Sequence, residues 1–249
     1  MRSNVGKRVF MAGAAGAIGR QMCRLLVKDG YTVIGTTRKP ERLAALKALG
    51  VIPVVVDVYD AELLHSVVAA AKPDIVVHQL TDLPFGLDPR LMPDARIRNA
   101  RLRETGTRNL VSAAIAAHAK HFVAQSIAFA YAPGTLPYDE ASALNVASTD
   151  EAAALSARAV ASLEQQVLDG PFLSTVLRYG KLYGPGTGFE MSPAGGPVHV
   201  DAAADAARRA IQSGQSGIFN IAEEDGTVSS ARARTLLDWN PAYRIADDG

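Results

Sequence analysis

The chain has 249 residues, of which 48% are hydrophobic and 20% charged, a balance typical of a globular protein rather than a disordered one. Its 26 Lys and Arg residues against 25 Asp and Glu give a net charge of +1, which favours neither nucleic acid nor an anionic membrane as partner. No apolar run reaches the length of a membrane span and the chain starts without a signal-peptide core, so we expect a cytoplasmic protein. The one cysteine, Cys23, lies on the apolar side of a predicted helix and is expected to be buried and unreactive.

Strand-like and helix-like segments alternate in the first half of the chain. Apolar runs predict strands over residues 7–12, 31–37, 51–56, 74–79 and 121–127. Helical periodicity predicts helices over 17–28, 40–49, 61–71 and 95–118, and a loop with three prolines is expected over 80–93. The run 51–56 is apolar throughout, which predicts a strand buried on both faces of a parallel sheet.

The same alternation continues to the end of the chain. An irregular segment over 133–148 precedes a helix over 149–168 and a strand over 172–178, and a Gly- and Pro-rich stretch then extends to residue 197. The last predicted elements are helices over 201–212 and 229–238 and a strand over 218–221. Strands separated by helices predict an α/β fold with a doubly wound parallel sheet. A candidate boundary near Tyr183 predicts a large domain over 1–183 and a small C-terminal lobe over 184–249 that is packed on it.

The first predicted strand opens into Gly13, Gly16 and Gly19 at the start of the first helix. Glycines at such a turn let backbone N–H groups approach a pyrophosphate, and the helix N-terminus adds partial positive charge. We therefore predict a Rossmann-type fold in which 1–183 binds a dinucleotide and 184–249 is a substrate lobe. A purely structural turn is the alternative. The predicted cofactor contacts of this turn are Gly13, Ala15, Gly16, Ala17, Ile18 and Gly19.

The end of the second predicted strand indicates which dinucleotide the site takes. It consists of Thr37, Arg38 and Lys39, with no carboxylate for a ribose 2′-hydroxyl and two cations for a 2′-phosphate. NADP(H) is therefore favoured over NAD(H), although a solvated basic turn is the alternative. Asp57 is placed either to accept a hydrogen bond from the adenine amino group or to cap a helix. The remaining predicted contacts are Val58, Gln79 and Leu80, after the third and fourth strands.

Five segments, spread over nearly the whole chain, resemble one family in their sequence and order. They are GAAGAIG at 13–19, ETGTRNLVSAA at 104–114, LRYGKLYGPG at 177–186, VHVD at 198–201 and GIFNI at 217–221. The chain resembles the extended short-chain dehydrogenase/reductase superfamily, specifically the NAD-dependent epimerase/dehydratase family. The resemblance implies acid–base chemistry by a Tyr-x-x-x-Lys pair on the helix after the fifth strand, with a Ser or Thr at the end of that strand.

The predicted helix over 149–168 departs from the family pattern because it contains neither tyrosine nor lysine. The family pattern places Ser156 and Val160 at the two positions, and an unassisted serine hydroxyl is a poor acid. At the end of the fifth strand the hydroxyl position falls on Ile127. Ser126, one residue earlier, would serve only with a local bulge, since a shift of one residue turns a strand side chain to the other face.

Replacement proton donors are expected on loops beyond the carboxyl ends of the strands. Tyr183 with Lys181 is the preferred pair, because a nearby ammonium group can lower the pKa of a phenol. Ser126 and Tyr131 complete the predicted catalytic set, and ordinary packing is the alternative for each residue. His78 and His199 are interpreted as structural, and the histidines show no metal-ligand spacing, so no metal is expected.

Arginines recur along the predicted helix over 95–118, at positions 96, 98, 101, 103 and 108. They are expected to form a mostly solvated face, although Arg98 or Arg103 could reach an anionic substrate. The same helix and the helix over 149–168 are expected to pair across a two-fold axis in a homodimer.

The leading functional hypothesis is an NADP-dependent oxidoreductase, or an epimerase/dehydratase-like enzyme, that acts on a small carbonyl or sugar-like substrate. The short segment 184–197 leaves little room for a larger one. The alternative, favoured by the departure on the helix over 149–168, is an NADP(H)-binding sensor or regulatory protein without turnover. Non-redox lyase or epimerase chemistry is a third possibility, and no nucleic-acid or membrane partner is expected.

Overall fold

The computed structural model describes residues 6–246, and this range contains nine strands and eight α-helices. Residues 1–5 and 247–249 lie outside it, and with them most of the N-terminal segment in which no signal-peptide core is expected. Within the described range, none of the helices combines the length and the apolar character that crossing a bilayer requires.

The structure has seven strands close to where the apolar runs predict them and two short strands, at 181–183 and 197–199, that were not predicted. They are β1 (Arg8–Ala12), β2 (Thr32–Thr37), β3 (Ile52–Val55), β4 (Ile75–His78), β5 (His121–Ile127), β6 (Leu173–Tyr179), β7 (Lys181–Tyr183), β8 (Pro197–His199) and β9 (Gly217–Ile221). Seven of them form one parallel sheet in the order β3-β2-β1-β4-β5-β6-β9, which confirms the doubly wound α/β fold. The order reverses between β1 and β4, and in such sheets ligands bind outside the carboxyl ends of the strands at that point.

Helices cover both faces of this sheet. They are α1 (Ala17–Lys28), α2 (Leu43–Ala48), α3 (Ala61–Ala71), α4 (Met92–Arg101), α5 (Thr107–Ala116), α6 (Glu151–Leu168), α7 (Val200–Ser213) and α8 (Ala231–Leu237). One core packs α1 and α7 on the sheet through residues such as Met22 and Ala203, and the other packs α3, α5 and α6 through Leu64, Leu110 and Leu163. Cys23 is fully buried in the first core, beside the Met11 sulfur, as predicted.

Side chains at helix starts explain where several helices begin. The carboxylates of Asp60 and Asp150 accept hydrogen bonds from Leu63 N and Ala153 N and cap α3 and α6. His199 Nδ1 accepts from Asp201 N at the start of α7, which agrees with the structural role predicted for this histidine. Each cap satisfies an N–H group that has no partner inside the helix.

Two predicted elements differ from the structure. β3 is the edge strand of the sheet, so Ile52 is 49% exposed and the prediction of a strand buried on both faces is wrong. The single helix predicted over 95–118 is instead α4, a π-helical turn over Leu102–Gly106, and α5. Gly106 lies at the end of this turn against Leu102 and Val58, where an added Cβ would be only 2.8 Å from Leu102 Cδ1.

Much of the segment after residue 183 is part of the large domain instead of forming a small lobe packed on it. β9 pairs with β6 in the central sheet, and α7 packs on α1 within the first core. Only the small β7–β8 pair and its adjoining loops lie apart from that sheet. The predicted boundary at 183/184 therefore lies inside one domain. The Gly- and Pro-rich stretch is a long loop with one short strand pair, and after it the chain rejoins the central sheet.

Candidate functional site

A cleft opens at the carboxyl ends of β1 to β4, at the point where the strand order reverses. It measures about 780 Å³ with its solvent-open mouth. Nine of the predicted cofactor contacts line it: Gly13, Ala15, Gly16, Thr37, Arg38, Lys39, Val58, Gln79 and Leu80. The structure thus brings together residues from four separate loops, whereas the predicted contacts Ala17, Ile18, Gly19 and Asp57 are not part of the lining.

The glycine turn fits close backbone packing at the floor of the cleft. Gly13 has φ +92°, and a Cβ on it would overlap the carbonyl oxygen of Gln79. Gly16 is the N-cap of α1 and has no capping side chain, while a Cβ on Gly19 would overlap Gly13 O. The first N–H groups of α1 have no partners inside the helix, so they and the helix dipole favour an anion here.

The rim beside β2 carries positive charge. Arg38, Lys39 and Arg42 line the cleft next to Thr37, whose Oγ1 accepts from Lys39 N at 3.1 Å. Arg38 lies 3.7 Å from the Asp82 carboxylate, which Arg98 also approaches from outside the cleft. Arg42 was not among the predicted contacts, although its spacing of four residues from Arg38 could have indicated it. The rim has the charge that a 2′-phosphate requires.

Gln79 forms the wall of the cleft at the end of β4. Its Nε2 donates to the Tyr179 hydroxyl at 3.1 Å, while its Oε1 is buried without a hydrogen-bond partner. Tyr179 is buried, and burial raises the pKa of its phenol far above the usual value, so it stays protonated. A buried acceptor without a donor is costly in a folded protein. A ligand hydroxyl or amide in the cleft would remove that cost.

His78 positions the neighbouring backbone and does not face solvent. Its Nδ1 accepts from Leu80 N at 3.3 Å, so its Nε2 carries the proton and bonds to Thr107 Oγ1 at 3.0 Å. Burial lowers its pKa to about 4, and the ring is neutral at physiological pH. This agrees with the structural interpretation of His78. Gln125 supports the same loop by donating to Leu80 O.

The predicted contact Asp57 has a local role in the loop after β3. Its Oδ1 accepts from Tyr59 N at 2.9 Å, which holds the turn that leads into α3. This is the capping alternative in a modified form, since the N-cap residue itself is Asp60. The role of Asp57 towards adenine stays a prediction.

The predicted catalytic residues Ser126 and Tyr131 lie in a buried network behind the carboxyl ends of β5 and β6. Ser126 Oγ donates to Glu164 Oε1 at 2.7 Å, and Arg178 binds both oxygens of Glu164 at 2.8 and 2.7 Å. The Tyr131 hydroxyl contacts Arg178 and Asn220, and burial raises its pKa. Neither residue lines the cleft, and both hydroxyls have protein partners.

Tyr183 and Lys181 lie on β7, but their side chains are engaged separately. The Tyr183 hydroxyl donates to Glu223 at 2.7 Å, and Lys181 Nζ donates to Ala194 O at 2.8 Å. Burial and the Glu223 carboxylate raise the pKa of Tyr183. The expectation that Lys181 lowers this pKa is therefore wrong in this structure, because the neighbouring charge that dominates is negative.

Arg103, one of two arginines that the sequence offered as a contact for an anionic substrate, lies against α6. Its Nη1 donates to Ser156 Oγ at 3.2 Å, and the side chain is 8% exposed. It sits on the π-helical turn directly after Leu102, which lines the cleft. Ser156 is the residue that the family pattern places at the tyrosine position. Helical periodicity could not find Arg103, because the π turn changes which side chains face inward.

The cleft fits a dinucleotide on its own chemistry. It combines a glycine turn without room for a side chain, N–H groups at a helix N-terminus, a basic rim and a buried unpaired acceptor. Residues 13–217 match a family model described as NAD(P)H-binding. The chain belongs to this family.

One curated relative of this NAD(P)H-binding protein covers nearly its full length. It is the 3-diazoavenalumate denitrifying reductase of a Streptomyces species, which is 40% identical over 256 residues. The match spans 95% of this chain and 80% of the relative. A reductase is therefore a homologue of the protein.

Solved structures with the same fold include two enzymes of low sequence identity. The UDP-glucose 4-epimerase of Thermotoga maritima, with UDP-glucose, has a TM-score of 0.75 at 18% identity, covering 95% of this chain and 94% of its own. The Bordetella bronchiseptica enzyme WbmH, in complex with NAD+, has a TM-score of 0.72 at 20% identity, with coverages of 93% and 79%. At such identities the likeness concerns the fold, which is the Rossmann-like α/β fold of the epimerases.

Proposed function

We propose that this protein is an NADPH-dependent reductase that replaces the diazo group of a small aromatic carboxylate by hydrogen. The observation that carries the proposal is a dinucleotide cleft in a chain whose helix α6 contains neither tyrosine nor lysine. A carbonyl reductase needs a proton donor next to the cofactor, and the hydroxyls of Ser126, Tyr131 and Tyr183 all have other partners. The proposed reaction avoids that requirement.

The balance of the proposed reaction needs only a hydride. Held at the glycine turn and the basic rim, a reduced nicotinamide would supply a hydride to the ring carbon of the cationic aryl diazonium. A carbon–hydrogen bond would replace the carbon–nitrogen bond, and the nitrogen would leave as neutral dinitrogen. The arene would gain two electrons; the diazonium cation would consume no net proton, and a substrate whose ring hydroxyl is ionised would take one proton from solvent. Such chemistry agrees with the activity for which the 40% identical relative is named, a reductase that removes nitrogen from a diazo compound.

The preference for NADPH over NADH is supported by the rim of the cleft. Arg38, Lys39 and Arg42 lie where β2 ends, and the lining contains no carboxylate. A guanidinium binds phosphate by two parallel hydrogen bonds, while a ribose 2′-hydroxyl would prefer a carboxylate acceptor. These side chains support the proposal that the rim binds a 2′-phosphate.

Exposed apolar side chains on two adjoining loops support an aromatic substrate. Phe85 is 77% exposed and Met191 83% exposed, and they belong to the two loops that follow β4 and β7. The loops touch each other, since a Cβ on Gly188 would be 2.5 Å from Gly86 Cα. Exposed apolar groups concentrated on adjoining loops mark a surface that binds apolar ligands. Leu83, Leu87 and Phe189 extend the same surface.

The proposal is tested by a turnover assay with purified full-length protein and a diazotised 3-amino-4-hydroxycinnamate. We expect NADPH absorbance at about 340 nm to fall in step with dinitrogen release and formation of the nitrogen-free acid, in a ratio of one to one to one. Arg38→Ala should weaken NADPH binding at least about tenfold and leave NADH binding unchanged. Arg98→Ala is the matched control, because Arg98 also approaches Asp82 but does not line the cleft.

Two results would contradict the proposal. The first is tight NADPH binding with no loss of absorbance above the uncatalysed rate, which would favour the regulatory alternative. The second is turnover of aldehydes or ketones under conditions where the diazo compound does not react. A preference for NADH unchanged by Arg38→Ala would remove the assignment of the 2′-phosphate and leave the reductase proposal in place.

A further inference from the structure

Arg103 differs in burial from the other arginines of its helical segment. Arg96, Arg98, Arg101 and Arg108 are exposed, whereas Arg103 is 8% exposed. Burial lowers the pKa of its guanidinium to about 10, which still leaves it protonated at neutral pH. The protein therefore keeps a cation largely out of water at this point.

Arg103 lies on the segment that borders the cofactor cleft, but its own side chain is not part of the cleft lining. It follows Leu102 of the cleft lining on the π-helical turn, and its charge contributes to lowering the pKa of His78 at the end of β4. Its Nη1 donates to Ser156 Oγ on α6. The guanidinium thus lies close to the carboxyl end of β4 and against α6.

The buried charges around Arg103 do not balance. Glu164 lies near enough to raise the pKa of Arg103, but it already binds Arg178 through both oxygens and accepts from Ser126. Within residues 6–246, no carboxylate comes within ion-pair distance of Arg103, and its one hydrogen bond is to a neutral hydroxyl. Two buried guanidiniums thus share one carboxylate, and a buried unpaired charge is strongly unfavourable without an anion.

We propose that Arg103 binds the carboxylate of the substrate, with the Ser156 hydroxyl holding the guanidinium in place. This proposal rests on the proposed function and adds to it the residue, Arg103, that would select substrates with a carboxylate. A guanidinium can bind a carboxylate through two parallel hydrogen bonds, which fixes orientation as well as affinity. An aromatic acid anchored at this point would direct its ring towards the cleft and the apolar loops.

The test measures binding and needs no turnover. The full-length protein, saturated with NADP+, is titrated calorimetrically with 4-hydroxycinnamate and with its methyl ester. The unsubstituted protein should bind the acid at least about tenfold more tightly than the ester. Arg103→Gln should abolish this discrimination and leave NADP+ affinity unchanged, whereas Arg98→Gln, at an exposed arginine, should change neither.

A second variant keeps the test valid if Arg103→Gln does not fold. Ser156→Asp places a carboxylate beside the guanidinium and should reduce affinity for the acid at least about tenfold with no loss of thermal stability. Equal binding of acid and ester by the unsubstituted protein would overturn the proposal, as would an equal loss of NADP+ affinity in Arg103→Gln. Discrimination between acid and ester in a protein without diazo turnover would refute only the proposed function.

Discussion

Gly13 occupies a position in which backbone conformation and space both exclude a side chain. Its φ is +92°, and an added Cβ would overlap the carbonyl oxygen of Gln79. We predict that Gly13→Ala lowers NADPH affinity by at least about a hundredfold, because the cleft floor must shift, and destabilises the fold by about 1–3 kcal/mol. NADPH titration by fluorescence and urea unfolding measure the two effects.

Gly226→Ala separates backbone strain from the loss of the site. Gly226 also has a positive φ, +83°, but nothing lies within 4 Å of a Cβ placed on it. It should lose about 1 kcal/mol of stability and retain NADPH affinity. If the two variants bind NADPH equally well, Gly13 does not form the floor of a cofactor site.

The residues that line the cleft could be predicted from the sequence better than the contacts of the predicted catalytic residues. Gly13 and Arg38 are marked by their places at the ends of predicted strands, and both line the cleft. The hydroxyl of Ser126 could not be placed, because its acceptor is Glu164, 38 residues away on another element. The sequence offered both Arg98 and Arg103 as contacts for an anionic substrate, and only the structure shows that Arg103 is buried while Arg98 is exposed.

At the scale of elements, the Glu164–Arg178 pair joins α6 to β6 in the interior. Both side chains are almost fully buried, and the pair also holds Ser126 and Tyr131. We predict that Glu164→Gln lowers the free energy of unfolding by about 3–5 kcal/mol, because Arg178 is left charged without its carboxylate. Urea unfolding at pH 7 measures this.

Two comparisons make the Glu164 result specific. Ser126→Ala removes one hydrogen bond of the same network and should cost only about 1 kcal/mol. Adding Arg178→Met to Glu164→Met should recover part of the loss, since no buried charge then remains unpaired. A cost below about 1 kcal/mol for Glu164→Gln would mean that the pair is not a main connection between α6 and β6.

Elements were predictable where local pattern decides them. The strand at β3 was found from its apolar run, but its exposure depends on strand order, since β3 forms the edge of the sheet. The break between α4 and α5 has one local signal, Gly106, and its cause is packing against Val58 from a distant loop. Side-chain caps such as Asp60 and Asp150 mark helix starts because both partners are close in sequence.

At the scale of the whole molecule, two buried histidines make stability depend on pH. His78 and His121 bond to threonine hydroxyls, and burial lowers the pKa of each to about 4 from 6.5. Above pH 6.5 the rings are neutral in both states and contribute no pH dependence. Between pH 6.5 and 4 the unfolded chain binds protons that the folded chain does not. As the pH falls through this range, each histidine therefore lowers the free energy of unfolding by about 1.4 kcal/mol per pH unit.

Urea unfolding between pH 7 and 4.5 tests this dependence on the whole protein. His121→Gln should reduce the slope of unfolding free energy against pH by about 1.4 kcal/mol per unit below pH 6. His65→Gln, which alters a histidine at the surface groove between α3 and α5, is the control for the loss of a histidine elsewhere in the protein. Identical slopes for all three proteins would show that His121 is not kept neutral by burial.

The parallel α/β architecture could be predicted from alternating elements, whereas the place of the last 66 residues could not. The Gly- and Pro-rich composition of 184–197 predicts a boundary with the large domain. In the structure, however, β9 pairs with β6 and forms an edge strand of the central sheet. That return is decided by long-range packing of α7 on α1. The whole molecule is therefore one α/β unit with a cleft at β1–β4 and an excursion beside it.

The most direct measurement follows the hydrogen that the cleft is proposed to deliver. The diazo aromatic acid is turned over with NADPH carrying deuterium at nicotinamide C4, in separate samples labelled on either face, and the product is analysed by NMR. The account predicts deuterium at the ring carbon that held the nitrogen, from one face only. Product hydrogen drawn entirely from solvent, with both labels retained on the cofactor, would contradict it.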